Sequence, residues 1–253
     1  MASDRRAVVF LILYSSFLVS PALSEPQKVS LALYYEALCP FCSRFVVHSL
    51  SKVFNGDIFP IIDLRLVPFG NAHIGSNSSI SCQHGSFECF LNTVEACAIY
   101  SWPNVQQHFG FIYCVERLVL ENKHNEWESC FQNTGLDQQA LVNCYNSGLG
   151  QEIELQYGAQ TAALVPPHRY VPWVVVNGLP LYDVSSAMFV LIICLVLLCR
   201  LCCHFSVYSD YDSFVMYVCE AYEGELPNAC EKLSLRTPQQ IKSNSANKVR
   251  TNA

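Results

Sequence analysis

The chain has 253 residues with a net charge of −6, and 51% of the residues are hydrophobic. This length suits one domain with insertions and allows a sizeable core. The acidic balance excludes the basic surface that nucleic-acid binding requires, so no nucleic-acid partner is expected. The sequence also contains neither the Gly-x-Ser-x-Gly pattern of many hydrolases nor a phosphate-binding loop.

The N-terminus has the three parts of a secretory signal peptide. Arg5 and Arg6 form a basic region, residues 7–19 are mostly apolar, and small residues precede a cleavage site after Ser24. We therefore predict a signal peptide over residues 1–24; the alternative, an uncleaved anchor, is disfavoured because the apolar stretch is short for a membrane span. In an oxidising compartment, the 14 cysteines favour disulfides over metal sites.

Residues 25–67 predict a strand–helix–strand unit. Lys28 to Tyr35 is a strand, the motif Cys39-Pro40-Phe41-Cys42 follows, and apolar residues recur at helical spacing from Ser43 to Phe54. Residues 58–67 are rich in β-branched and aliphatic residues and predict the second strand. The Cys-x-x-Cys motif therefore lies at a strand–helix junction.

Residues 68–165 predict a cysteine-stapled helical insertion. Helical patches cover Phe87 to Tyr100, Val105 to Glu121 and Asp137 to Asn146. This stretch also contains the sequon Asn77-Ser78-Ser79, so Asn77 is a predicted glycosylation site. Six cysteines lie in the insertion: Cys82, Cys89, Cys97, Cys114, Cys130 and Cys144.

Residues 166–183 predict a proline followed by a β-hairpin. Pro172 precedes a short strand, residues 173–176, and Asn177-Gly178 is a two-residue hairpin turn. The returning strand is expected at the sheet edge, because Pro180 has no N–H to donate to a ladder.

The order of these elements predicts the fold class. Residues 211–233 add a C-terminal helix, and the polar residues 234–253 predict a disordered tail. Without the helical insertion, the order is β-α-β, then proline, β, β and α. We therefore predict an α/β thioredoxin-like fold with a cysteine-rich helical insertion between the second and third core strands.

The Cys-x-x-Cys motif is a candidate redox centre. The N–H groups and dipole of a helix N-terminus favour a thiolate, so Cys39 is the predicted nucleophile and Cys42 the resolving cysteine. An external small-thiol or protein reductant must restore the dithiol, and no bound cofactor is expected. The alternatives are a structural disulfide or a zinc site with Cys82 and His84; no metal is predicted, because a second Cys-x-x-Cys or a His-x₃₋₅-His pair is absent.

Pro172 is a candidate substrate-positioning residue. In a thioredoxin-like fold the Val171–Pro172 bond is cis and faces the dithiol, which leaves the Val171 backbone to pair with the substrate main chain. The alternative is an ordinary proline at the start of a strand.

A second motif spans Cys82 to Cys97 and reads C-Q-H-G-x2-E-C-x2-N-x4-C. It resembles the signature of the gamma-interferon-inducible lysosomal thiol reductase (GILT) family, and Tyr34 to Cys39 and Val171 to Gly178 are also similar to that family. The resemblance implies a glycoprotein that reduces disulfide-bonded protein substrates, with Cys39 as nucleophile and Cys42 as resolving cysteine. It also implies activity at acidic pH, in the secretory pathway, with the lysosome or vacuole or the extracellular space as destination.

The other residues around these motifs are expected to have smaller roles. His84 is a candidate for tuning the active site, because imidazole titrates near acidic pH; the alternative is a capping or packing histidine. Asn92 and Glu88 are expected to satisfy local backbone groups, and Glu36 to be a solvated loop carboxylate. Without Cys39, Cys42 and the four cysteines of residues 184–210, eight cysteines remain for structural disulfides, and their pairing is left open: Cys82, Cys89, Cys97, Cys114, Cys130, Cys144, Cys219 and Cys230.

Residues 184–210 depart from the family pattern. They contain 13 consecutive apolar residues, Ala187 to Cys199, and are flanked by Tyr182-Asp183 and Tyr211-Asp212. Membrane contact through Ala187 to Cys203, a buried helix and a splice-derived insertion are the three interpretations. We favour a lumenal insertion that disturbs the fold over a working anchor, because the run is shorter than a membrane span.

Two other functions compete with disulfide reduction. A non-catalytic, cysteine-rich secreted binding module predicts that both cysteines of the motif lie in permanent bridges. A disulfide oxidase or isomerase uses the same motif, because the direction of exchange depends on the reduction potential and the partner.

Overall fold

The structure, a computed structural model, describes residues 26–54, 56–181 and 214–234. The predicted signal peptide, the apolar segment 184–210 and the predicted tail after residue 234 lie outside the described residues. Within the described ranges, no helix is both long enough and apolar enough to cross a membrane.

A parallel βαβ unit begins the domain. Strand β1 (Val29–Tyr35) pairs in parallel with β2 (Ile62–Pro68). Between them the chain forms α1 (Pro40–Phe45), a π-helical turn (Val46–Leu50) and α2 (Ser51–Phe54). The second strand begins later than the sequence predicts, because Phe59–Ile61 forms a 3₁₀ turn that contains Pro60.

The insertion between β2 and the third core strand is helical, as predicted. Three of its helices match the prediction, whereas two further helices and a two-stranded hairpin were not predicted. The missed elements are β3 (His73–Ile74), β4 (Ile80–Ser81), α5 (Ser129–Thr134) and α7 (Leu149–Ala162). The predicted helices are α3 (Ser86–Ser101), α4 (Val105–Leu120) and α6 (Gln138–Asn146).

Side-chain caps fix where two of these helices begin. The Asn104 side chain accepts a hydrogen bond from the Gln106 amide at the start of α4, and the Asp137 side chain accepts one from the Gln139 amide at the start of α6. Asparagine and aspartate are favoured at these positions because each supplies an acceptor to an otherwise unpaired backbone donor.

Strands β5 (Trp173–Val176) and β6 (Leu179–Pro180) complete a sheet of order β2-β1-β5-β6. Strand β5 is antiparallel to both β1 and β6. Pro180 lies on the edge strand opposite Val175, as its missing N–H requires. A parallel βαβ unit followed by an antiparallel hairpin is the thioredoxin arrangement that the sequence predicts.

The eight cysteines predicted to be structural form four disulfides, and the structure supplies their pairing. One bridge closes the loop before α3, two join helices of the insertion to each other, and one joins α8 (Phe214–Ala221) to α9 (Asn228–Ser234). The pairs are Cys82–Cys89, Cys97–Cys144, Cys114–Cys130 and Cys219–Cys230.

The C-terminal helix α8 covers the core beside the active-site helix. Phe214 is 1% exposed, and its ring lies edge-on to Phe45 of α1 with the centroids 5.4 Å apart. Leu181, just before the apolar segment, belongs to the same buried cluster as Phe214, just after it. Both described flanks of the segment therefore pack into one core. The expectation that the segment itself disturbs the fold concerns residues outside the described ranges and stays a prediction.

We expect Phe214→Ala to destabilise the protein by about 3–5 kcal/mol, because it leaves a cavity between α8 and α1. Leu226→Ala is the matched control, since Leu226 is 40% exposed and should change stability little. Chemical denaturation of the full chain measures both. Equal effects from the two variants would contradict the packing of α8 on the core.

Candidate active site

The dithiol lies at the N-terminus of α1. Cys39 is the N-cap residue in an extended conformation, and Pro40 occupies the first turn, where its missing N–H is no loss. The Cys39 Sγ accepts a hydrogen bond from the Cys42 amide at 3.4 Å. Among the described cysteines, only Cys39 and Cys42 are unpaired.

The two thiols have opposite proton affinities. A hydrogen bond from the Cys42 thiol, together with backbone N–H groups, lowers the pKa of Cys39 from 9.0 to about 7, although burial opposes the shift. Burial raises the pKa of Cys42 well above 9.0. One helix end therefore holds a nucleophilic thiolate beside a thiol kept in its protonated form.

Val171 and Pro172 lie at the dithiol, where the sequence analysis places them. The Val171–Pro172 bond is cis, and the Val171 carbonyl oxygen lies 4.0 Å from the Cys39 Sγ. The Val165–Pro166 bond is also cis, which the sequence analysis did not predict. Phe41, between the two cysteines, is 66% exposed and gives the rim of the site an apolar surface.

His84 lies between two buried carboxyl groups. Its Nδ1 atom contacts Glu88 Oε2 and lies 3.6 Å from Glu36 Oε1. Burial lowers the pKa of His84, but Glu88, Glu36 and the Cys39 thiolate outweigh burial, and the net pKa is raised. By reciprocity, the His84 imidazolium stabilises the thiolate. His84 is therefore electrostatically coupled to the dithiol.

Glu36 is not the solvated carboxylate expected from the sequence. It is 1% exposed, and its Oε2 accepts a hydrogen bond from the Asn71 amide at 2.7 Å. Gly70 has φ +58°, and a Cβ there would collide with the Glu36 carboxyl group. The loop after β2 thus covers Glu36. The burial of Glu36 depends on this contact between residues distant in sequence, so the local sequence did not predict it.

Glu36, His84 and Glu88 also have ligand atoms within 4.8 Å of one another, the spacing of a metal site. Hydrogen bonds within the trio and to the Asn71 and His84 amides already engage these groups. The alternative of a zinc site that uses Cys82 is wrong, because Cys82 is bonded to Cys89 and offers no thiolate.

Asn92 joins the insertion to the loop before the dithiol. Its Oδ1 accepts a hydrogen bond from the Ala37 amide at 2.9 Å, in the buried interior. The expectation that Asn92 serves a local backbone group is therefore wrong. The residues are 55 positions apart, and only the tertiary fold brings them together.

Glu95 and Glu116 are two functional candidates that the sequence analysis missed. Both are completely buried, Glu95 on α3 and Glu116 on α4. The Tyr35 hydroxyl donates to Glu95 Oε2 at 2.6 Å, and the Ser43 hydroxyl donates to Glu116 Oε2. Burial raises the pKa of Glu95 to about 8 and raises that of Glu116 as well. Each lies within a helical stretch of sequence, and no local pattern signalled its role.

Comparison with known proteins identifies the relatives of this chain. Residues 30–134 match the family model described as gamma interferon inducible lysosomal thiol reductase (GILT). The chain is 40% identical over 221 residues to the gamma-interferon-responsive lysosomal thiol protein of Arabidopsis thaliana. The match covers 87% of this chain and 82% of that relative. The chain belongs to the GILT family.

An insect relative and a bacterial structure are also similar to the chain. GILT-like protein 2 of Drosophila melanogaster is 33% identical over 72% of this chain and 87% of its own length. Among solved structures, DsbA of Chlamydia trachomatis is 12% identical to the chain, with a TM-score of 0.45. The superposition covers 64% of this chain and 85% of the DsbA chain. Family membership and the free dithiol together make this GILT protein a thiol–disulfide oxidoreductase.

We expect His84→Asn to raise the pKa of the Cys39 thiol by about one unit, because the variant removes a nearby positive charge. Titration of the thiolate absorbance near 240 nm measures the shift. His73→Asn is the control, since His73 is an exposed histidine of β3. An unchanged pKa in His84→Asn would show that the imidazole does not act on the dithiol.

The buried carboxyl groups also predict how stability depends on pH. Folding raises the pKa of Glu95 from 4.5 to about 8 and that of Glu154 from 4.5 to about 7, in both cases mainly through burial. Between pH 5 and 7 the unfolded chain has released protons that the folded chain retains, so a rise in pH favours unfolding.

We therefore expect the thermal midpoint to be higher at pH 5 than at pH 7. Glu154→Gln should reduce this difference, whereas Glu152→Gln, which changes an exposed carboxyl group on the same helix, should not. Differential scanning calorimetry at the two pH values measures the effect. A midpoint that is constant or rises toward pH 7 would contradict the raised pKa values.

Proposed function

We propose that this protein reduces disulfide bonds of protein substrates in an acidic compartment of the secretory pathway. The observation that carries the proposal is the asymmetry of the free dithiol. Cys39, which is 4% exposed, has a lowered pKa, whereas Cys42, which is 0% exposed, has a raised pKa.

The proposed reaction has two exchanges. The Cys39 thiolate attacks one sulfur of the substrate disulfide, the substrate S–S bond breaks, and the released substrate thiolate takes up a proton. The Cys42 sulfur, after losing its proton, attacks Cys39 and releases the second substrate thiol. Two electrons pass to the substrate, the dithiol becomes the Cys39–Cys42 disulfide, and an external thiol reductant restores it.

Operation at acidic pH is supported by the thiolate population. A thiol with a pKa of about 7 is about 1% ionised at pH 5, whereas one with a pKa of 9.0 is about 0.01% ionised. Protonation of His84 in acid adds a positive charge beside Glu36, which otherwise raises the Cys39 pKa. The lowered pKa of Cys39 therefore preserves a population of thiolate at pH 5, where an ordinary thiol would have almost no thiolate.

The surface around Cys39 supports a polypeptide substrate. The Val171 carbonyl group lies beside the attacking sulfur and offers main-chain pairing, and the exposed Phe41 ring offers an apolar contact. The proposed substrate is thus an unfolded or extended segment that contains a disulfide. The names of the relatives support a lysosomal or vacuolar location, and a glycan on Asn77 and a cleaved signal peptide fit the same route.

The binding-module alternative requires permanent bridges at Cys39 and Cys42. Both are free, while the other eight described cysteines are paired with one another. The structure therefore favours exchange chemistry over a purely structural use of the motif. Reduction, rather than oxidation or isomerisation, is the direction that the family name supports.

We expect the wild type to reduce a disulfide-linked denatured protein at pH 4.5. Cys39→Ser should be inactive under the same conditions. Cys42→Ser should trap a mixed disulfide that non-reducing electrophoresis detects, because the resolving thiol is missing. Activity is measured at pH 4.5 and 7 with a small thiol as reductant, and circular dichroism checks the fold of each variant. Correctly folded wild type without activity would favour the binding module, and turnover only in the oxidising direction would favour an oxidase.

A further inference from the structure

The second exchange leaves a physical problem that the dithiol alone does not solve. Cys42 is 0% exposed, so water does not reach its thiol. Burial also raises its pKa well above 9.0. Before it attacks the mixed disulfide, Cys42 must nevertheless give up a proton, and a buried group must receive that proton.

Two carboxyl groups of the insertion lie against the dithiol helix. Glu116 Oε2 accepts from the hydroxyl of Ser43, the residue that follows Cys42, and the charges of Cys42 and Glu116 act on each other. The charges of Glu116 and Glu95 act on each other, and Glu95 Oε2 accepts a hydrogen bond from the Tyr35 hydroxyl. One hydrogen bond thus ties Glu116 to α1, and another ties Glu95 to β1.

The pair is built to hold an exchangeable proton. Both side chains are 0% exposed, and neither Glu95 Oε1 nor Glu116 Oε1 has a hydrogen-bond partner in the described structure. Two buried carboxyl groups whose charges repel hold a proton that can be released or regained as the local charge changes.

The ionisable groups around the pair contain no compensating cation. Those that act on it in the described structure are Tyr35 on β1 and the two thiols on α1, with Tyr157 on α7 acting on Tyr35. An ion-pair role would need a lysine or arginine facing the carboxyl groups. The proton is therefore the counter-ion of the pair.

We propose that Glu95 and Glu116 form a buried proton-accepting pair that receives the proton of Cys42 when Cys42 resolves the mixed disulfide. This inference rests on the proposed roles of Cys39 and Cys42. As the proton leaves the Cys42 sulfur for the pair, the sulfur forms its bond to Cys39 and the bond from Cys39 to the substrate sulfur breaks. The leaving substrate thiolate is protonated by solvent, so charge and electrons balance.

The charge of Cys39 also acts on the pair. Burial, the charge of Glu95 and the Cys39 thiolate all raise the pKa of Glu116. In the mixed disulfide Cys39 carries no charge, so its contribution is lost, and the pair gives up a proton to solvent more readily and becomes a base before Cys42 attacks. The attacking step thereby prepares the resolving step.

A chromogenic aromatic disulfide separates the two exchanges in the full chain. The first coloured thiol is released in a phase that depends on reagent concentration, when Cys39 attacks. The second is released in a concentration-independent phase, when Cys42 attacks Cys39. Stopped-flow absorbance from pH 5 to 10 gives both rates.

In the wild type we expect the second rate to rise with pH and to level off near pH 8, as the pair ionises. Glu116→Gln should slow the second phase by about 100-fold at pH 7, far more than the first, because it removes a general base. Its second rate should continue to rise past pH 9, following the Cys42 thiol itself. Glu95→Gln should show the same change in pH profile with a smaller loss, because it leaves Glu116, the carboxyl group bonded to Ser43 beside Cys42.

Glu154→Gln is the matched control, because Glu154 is a buried insertion carboxyl bonded to Thr93 and remote from the dithiol contacts. It should match the wild type in both phases. Equal slowing of both phases in folded Glu116→Gln, or an unchanged second phase, would overturn the inference. If neither Gln variant folds, the pH profile of the wild type still tests the inference. A rate of the second phase that does not level off below pH 9 would overturn the inference. A wild type without the first phase would instead overturn the proposed function itself.

Discussion

Docking of the helical insertion beneath the Cys-x-x-Cys helix is the constraint on which the rest of the structure depends. Three buried side-chain hydrogen bonds make this junction, from Ala37 to Asn92, from Tyr35 to Glu95 and from Ser43 to Glu116. Each joins a residue within four positions of a redox cysteine to a helix of the insertion. A buried polar group without its partner costs free energy, so these bonds fix the orientation of the two parts.

The same junction determines the electrostatics of the dithiol. Because the insertion covers Cys42, burial keeps its thiol protonated, whereas Cys39 at the helix N-terminus is stabilised as a thiolate. The disulfides Cys97–Cys144 and Cys114–Cys130 tie α3 and α4, which carry the two buried glutamates, to α6 and α5. The cysteines of the insertion therefore support the active site without taking part in exchange.

Acidic conditions suit this architecture on two separate grounds. Buried carboxyl groups without cations are stable only when protonated, which favours folding at low pH. The Glu36 and Glu88 carboxylates repel each other. When His84 between them is positively charged, it attracts both carboxylates and offsets this repulsion beside the dithiol. Stability thus favours acidic conditions, and the charge of His84 partly offsets the loss of thiolate that acid causes.

The sequence by itself determined the order of the core elements, the position of the dithiol at a helix N-terminus, the proline before β5 and the family. These features are local, since they depend on hydrophobic periodicity, turn residues and motifs contiguous along the chain. It left the disulfide pairing open because spacing does not fix which cysteines meet in space.

Only the tertiary structure decided the burial of Glu36, the long-range role of Asn92 and the meeting of Glu95 with Glu116. A glutamate within an amphipathic helix has the same local pattern whether it faces water or a buried neighbour. Its environment is set by how the helices pack, which brings together residues as far apart along the chain as Ser43 and Glu116. Packing, which sums many long-range contacts, is the physical reason that the proton chemistry of this site could not be read from the sequence.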